Sequence, residues 1–66
     1  MHSLKKFLSD SEMTQAELAT AIDVSQPTIS DWVNGRVTPT VDSLFAISRV
    51  TGIAVEKLVK DLQATA

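Results

Sequence analysis

Between Thr14 and Gly35 the chain encodes two helices with almost nothing between them, and this segment limits the folds open to it. Thr14-Gln15-Ala16-Glu17 has the form of a capping box, T-x-x-E, in which a hydroxyl and a carboxylate satisfy free amides at a helix start. Leu18, Ala19 and Ile22 supply an apolar stripe behind it. Asp23-Val24 reads as a turn. Ser25 can cap the next helix, which runs to Asn34 with Ile29, Trp32 and Val33 at helical spacing. Pro27 falls in that helix's first turn, where a missing N–H costs nothing. Gly35 follows where a residue with positive φ is wanted.

The flanks are punctuated in the same way. Leu4, Phe7 and Leu8 mark a first helix over roughly Ser3 to Ser9. Pro39 lies in a loop, and Thr40 caps a fourth helix with Asp42 near its positive end. That helix carries Val41, Leu44, Phe45, Ile47 and Val50 and stops at Gly52. A fifth runs from about Ala54 to Gln63 with Val55, Leu58, Val59 and Leu62. No stretch alternates with period two, so the expected fold class is all-α, a compact five-helix bundle. At 66 residues the chain forms one domain, 1–66, because cores rarely divide below ~100 residues.

Composition removes whole classes of chemistry. There is no cysteine, hence no disulfide, thiolate nucleophile or Cys-rich zinc site, which fits a reducing, cytoplasmic setting. His2 is the one histidine, and its terminal position suggests disorder rather than a ligand. A Ser-His-Asp triad or a histidine metal cage has no material to work with, and no acidic residue sits on an apolar stripe. An enzyme is therefore not expected, nor a metal or cofactor. No apolar run approaches the ~20 residues that span a bilayer, and the opening MHSLKKFLSDSE turns acidic too soon for a signal peptide. The net charge is −2, which by itself argues against a nucleic-acid binder. Lys5-Lys6, Lys57 and Lys60 read as solvated or paired with neighbours such as Glu56 and Asp61.

The polar leading face of the helix after Ser25 argues the other way. It carries Ser25, Gln26, Pro27, Thr28, Ser30 and Asp31. A glutamine amide can match adenine N6 and N7 in the major groove. A threonine methyl can touch a thymine methyl, and an ionised aspartate accepts from cytosine N4 while repelling phosphate. Trp32 shares a face with Ile29 and belongs in the core rather than between bases.

At this point a resemblance is plain. Thr14-Gln15-Ala16-Glu17-Leu18-Ala19, then Ser25-Gln26, Ile29-Ser30, Trp32 and Asn34-Gly35, resemble the helix-turn-helix of the lambdoid phage repressor and Cro family, the XRE-type regulators. LFAISRVTGIAVEKLV, residues 44 to 59, is similar to that family's fourth and fifth helices. The resemblance implies a lambda-repressor-like fold and a sequence-specific, operator-binding transcription regulator with its recognition helix at about 25–34. It implies base contacts from Ser25, Gln26, Pro27, Thr28 and Asp31. It implies phosphate contacts from Gln15, Ser30, Asn34, Arg36 and Thr38. Gln15 would be helped by the start of its helix.

The sequence departs from the family pattern at four places. Asp23 stands where glycine is usual, and aspartate tolerates the left-handed region better than most residues. Pro27 replaces a side chain that often reads bases. Ala54 replaces a serine cap, at ~1 kcal/mol. The loop from Arg36 to Thr40 has a single cation.

One recognition helix reads too few base pairs for a genome-scale choice, so the double-stranded operator is expected to be met by a homodimer, weak without DNA. Its surface is expected around Val37, Val41 and Phe45, with Ile53, Val55 and Val59 beside them. The alternative is a protein-interaction module, such as an antitoxin built on the same fold.

Overall fold

The computed structural model describes residues 1–63; positions 64–66 of the expected domain lie outside the described residues. Its helices are α1 (His2–Asp10), α2 (Gln15–Ala21), α3 (Gln26–Val33), α4 (Val41–Thr51) and α5 (Val55–Gln63). Among the described residues there is no strand. The expected all-α bundle of five helices is what forms.

Each helix contributes one side chain to the centre. Leu4, Leu18, Ile29, Ile47 and Leu58 are fully buried, one each from α1, α2, α3, α4 and α5. Trp32, Val33, Ala19 and Leu44 complete the core around them, so Trp32 is a core residue as its spacing requires. Removing any of the five would leave a cavity in a small core, at about 2–5 kcal/mol for a truncation to alanine. Within this frame α2 packs on α3, α1 packs on both α3 and α5, and α4 packs on α5.

The helix starts follow the side-chain caps. Thr14 Oγ1 accepts from the Glu17 amide at 3.1 Å, and Glu17 Oε1 accepts from the Thr14 amide at 3.0 Å, so the capping box closes. Ser25 Oγ accepts from the Thr28 amide, and Thr40 Oγ1 from the Ser43 amide. Asp42 and Arg49 sit at the ends of α4 that favour their charges.

The turn inside the helix pair has a specific geometry. Asp23 adopts φ 61°. Its amide donates to the Thr20 carbonyl at 3.3 Å, and the Val24 amide donates to the Ala19 carbonyl at 2.9 Å. This is the Schellman closure, with aspartate in the left-handed position usually held by glycine. The expected tolerance of Asp23 is thus realised in the backbone.

One expectation at the chain's ends is corrected. The start of the chain is packed, not frayed: α1 begins at His2, and Met1 is in the core. The Met1 amino group donates to the carbonyls of Val33 at 3.2 Å and Trp32 at 3.5 Å, which anchors α1 to the end of α3. A positive group there also complements the negative end of α3. Asp61, read as a possible partner of lysines that could equally be solvated, accepts from the Ser3 amide at 2.8 Å through Oδ2. It thereby serves a helix whose own cap residue, Met1, has no side-chain oxygen to offer. Lys6 pairs with Asp10 at 3.4 Å, one turn apart on the exposed face of α1.

Candidate nucleic-acid interface

The α2–α3 pair sets the geometry of this surface. Ile29, Trp32 and Val33 turn into the core, which rotates Gln26, Pro27, Asp31 and Asn34 outward on α3. Gln15, at the start of α2, meets Gln26, Pro27 and Ser30 across a shallow cleft. Sequence reasoning assigned these four residues to two duties, and the fold brings them to one place. Gln26 and Pro27 are exposed, whereas Gln15 and Ser30 are half-buried at the cleft edge.

Other expected contact residues carry internal bonds. The hydroxyls of Ser25 and Thr28 are 2.7 Å apart, and both belong to the cap of α3. The Asn34 side-chain amide donates to the Ser30 carbonyl at 2.9 Å and to Ser30 Oγ at 3.3 Å, closing the last turn of α3. Thr38 is exposed in the loop between α3 and α4.

Arg36 is positioned by the end of α3. Gly35 has φ 76°, its amide donates to the Trp32 carbonyl, and the Arg36 amide donates to the Asp31 carbonyl at 2.8 Å. These two bonds are a second Schellman closure, which sets the side chains of Asp31 and Arg36 next to each other. Arg36 Nη1 then lies 3.5 Å from Asp31 Oδ1. The family resemblance implies a base for Asp31 and a phosphate for Arg36, whereas in the fold the two face each other. The signal was present in the spacing: Asn34-Gly35 ends the helix, and a glycine-closed end pairs the residues four before and one after the glycine.

The electrostatics of this side are unusual for an anion-binding surface. From Asp10 to Gly35 the chain has Asp10, Glu12, Glu17, Asp23 and Asp31 and no lysine or arginine. Arg36 is the first side-chain cation after this stretch, and it is paired with Asp31. Lys5 and Lys6 belong to α1, Arg49 to α4, and Lys57 and Lys60 to α5.

The residues named for assembly divide into two kinds. Val37, Val41 and Phe45 expose half or more of their surface, at 50%, 67% and 52%. Ile53 and Val59 pack against the core and Val55 is half-buried, so this second group has less surface to offer a partner.

Among the described residues no cluster of acidic or histidine side chains could hold a metal ion. No helix of the described chain is long and apolar enough to cross a membrane. Compared with known proteins, residues 4–58 match the family described as Helix-turn-helix. No curated protein and no solved structure matches the chain.

Proposed function

The chain belongs to the helix-turn-helix family, as an XRE-like DNA-binding regulator, and on that premise we propose that it is a repressor of the Cro type that binds operator DNA as a homodimer. In this reading residues 1–66 are one DNA-binding unit without catalytic chemistry or cofactor, working in the cytoplasm. Helix α3 enters the major groove, where Gln26, Pro27, Asp31 and the exposed parts of Ser25 and Thr28 meet base edges. Gln15, Ser30, Asn34, Arg36 and Thr38 meet phosphates on either side. Two copies pair through Val37, Val41 and Phe45, with Ile53, Val55 and Val59 at the margin.

The observation that carries the reading is the cleft shared by Gln15, Gln26, Pro27 and Ser30. It sets a residue from the start of α2 beside the leading face of α3. A helix in the major groove with a neighbouring group on the flanking backbone is the geometry that helix-turn-helix readout needs. The acidic balance supports a particular mode. With few cations to displace counterions, affinity must come from base contacts and from pairing of two units rather than from charge.

Selection from random duplex DNA tests this. The expected result is a two-fold symmetric sequence with half-sites about 34 Å apart, one turn of the duplex. Failure to enrich any sequence, with a second polypeptide co-purifying at fixed ratio, would replace this reading with the interaction module.

A further inference from the structure

The glycine-closed end of α3 does more than stop a helix. In a Schellman closure the two side chains set together are commonly apolar, and their contact secures the turn. Here they are Asp31 and Arg36, with the backbone bond at 2.8 Å and the carboxylate and guanidinium 3.5 Å apart. The pair is accessible: the side chains of Arg36 and Asp31 are 65% and 38% exposed. It also lies at the surface proposed for DNA, since Asp31 stands one turn after Pro27 on the outward side of α3. Residues 10 to 35 contain no lysine or arginine, so Arg36 is the first side-chain cation after Lys6.

We propose that Asp31 sets specificity through Arg36. On unselected DNA the pair stays closed, and the Arg36 charge is neutralised. At a cognate site a cytosine amino group donates to the Asp31 carboxylate and takes the place of the guanidinium. Arg36 is then free to reach the adjacent phosphate, which adds affinity only where the base is right. The inference rests on the DNA-binding reading above and assigns one residue's role within it.

A carboxylate at this face repels phosphate whether or not it holds an arginine, so the test must separate the two effects. Binding of wild type, Asp31→Ala, Arg36→Gln and the double variant is measured on unselected duplex and on the selected sequence, across salt concentrations. Asp31→Ala is expected to raise affinity for unselected duplex about two- to fivefold, the scale of an exposed ion pair. It is expected to steepen the salt dependence by about one unit per protomer. It also abolishes a cytosine preference at one position of each half-site. In the Arg36→Gln background the gain on unselected duplex is expected to be smaller, because only the lost carboxylate repulsion remains. An equal gain in both backgrounds, or an unchanged base preference, overturns the proposal.

A readout without DNA covers the remaining case. The Arg36 side-chain Nε–Hε resonance is expected to shift in Asp31→Ala, and an unchanged resonance removes the pair and the proposal. A wild-type protein that shows this shift but binds no duplex removes the DNA-binding reading, and this inference goes with it.

Discussion

The hydroxyls of Ser25 and Thr28 stand 2.7 Å apart, and Ser25 Oγ also accepts from the Thr28 amide. Two residues that the family resemblance assigns to bases are therefore occupied with starting the helix that presents them. Ser25→Ala is expected to lower unfolding stability by about 1 kcal/mol, as lost caps do. Ser25→Asp keeps a capping oxygen and is expected to fold as well as wild type. It nonetheless places a carboxylate where DNA approaches, so binding to the selected duplex should fall. Urea denaturation of both variants, with a binding titration beside it, separates the two roles. Unchanged stability in Ser25→Ala would show that the cap is not what the hydroxyl provides.

Gly35 allows the closure that joins Asp31 to Arg36. Its φ of 76° is in the left-handed region, and a Cβ there meets no atom within 4 Å. The penalty for a side chain is therefore backbone strain, with no clash to add. Gly35→Ala is expected to cost about 1 kcal/mol. In a domain of this size that lowers the thermal midpoint by about 4–8 °C. A midpoint equal to wild type would mean that the end of α3 closes without the left-handed residue.

Asp23 presents the opposite case, a side chain where glycine fits better. It holds φ 61° inside the helix-turn-helix. Asp23→Gly relieves the strain but gives the unfolded chain more freedom, and the two effects oppose each other. Strain is expected to dominate, with a net gain of about 0.5 kcal/mol. Thermal unfolding checks the sign: a lower midpoint in the variant would mean that unfolded-state entropy outweighs the strain.

What the sequence made legible here is what acts within a few residues. The capping box at Thr14 and Glu17, the caps at Ser25 and Thr40, and the left-handed positions at Asp23, Gly35 and Gly52 are local geometry, and all appear where the pattern puts them. What stayed hidden depends on chain closure. Asp61 reaches the Ser3 amide and the Met1 amino group reaches the end of α3 only because α1 packs on α5 and α3. No spacing rule connects residues that far apart. The Asp31–Arg36 pair falls between these cases, since the closure that makes it is local but each residue also suited a separate external partner. For the candidate site the pattern identified the residues of the cleft. It put Ser25 at the cap but could not tell that Thr28 and Asn34 would be engaged at the helix ends as well.

In the proposed reading, base recognition depends most on Gln26. It is exposed at the first turn of α3, and its side-chain amide makes no hydrogen bond among the described residues, so its donor and its acceptor are both unengaged. Gln26→Ala is expected to leave stability within about 0.5 kcal/mol of wild type. It is expected to weaken binding to the selected sequence by about 1–3 kcal/mol and to relax preference at one position per half-site. Competition with single-base variants of the site provides the measurement. A loss of equal size on every sequence, scrambled duplex included, would show that Gln26 does not read a base.

The last prediction concerns how two copies meet. Phe45 is 52% exposed on α4, Val41 is 67% exposed one turn before it, and Val37 is 50% exposed in the preceding loop. Exposed apolar side chains this close in sequence form a patch that water covers poorly, and a second copy can cover it. By contrast Ile53 and Val59 lean on the core, so a charge there strikes folding before it strikes assembly. The three valine and phenylalanine side chains are few, and an interface built on them is small; the free protein should be largely monomeric at low micromolar concentration. Operator DNA is then expected to supply much of the drive for pairing by holding two copies about 34 Å apart at their recognition helices. Phe45→Asp is expected to keep unfolding stability within about 0.5 kcal/mol of wild type, as a surface change does. Its binding to the full site is expected to drop at least tenfold, while binding to an isolated half-site does not change. Val59→Asp is expected to lose stability first, by more than 1 kcal/mol, because it introduces a charge beside the core. Sedimentation with and without duplex, together with a footprint, checks both. If folded Phe45→Asp still protects both half-sites with wild-type affinity, the two copies meet through another surface.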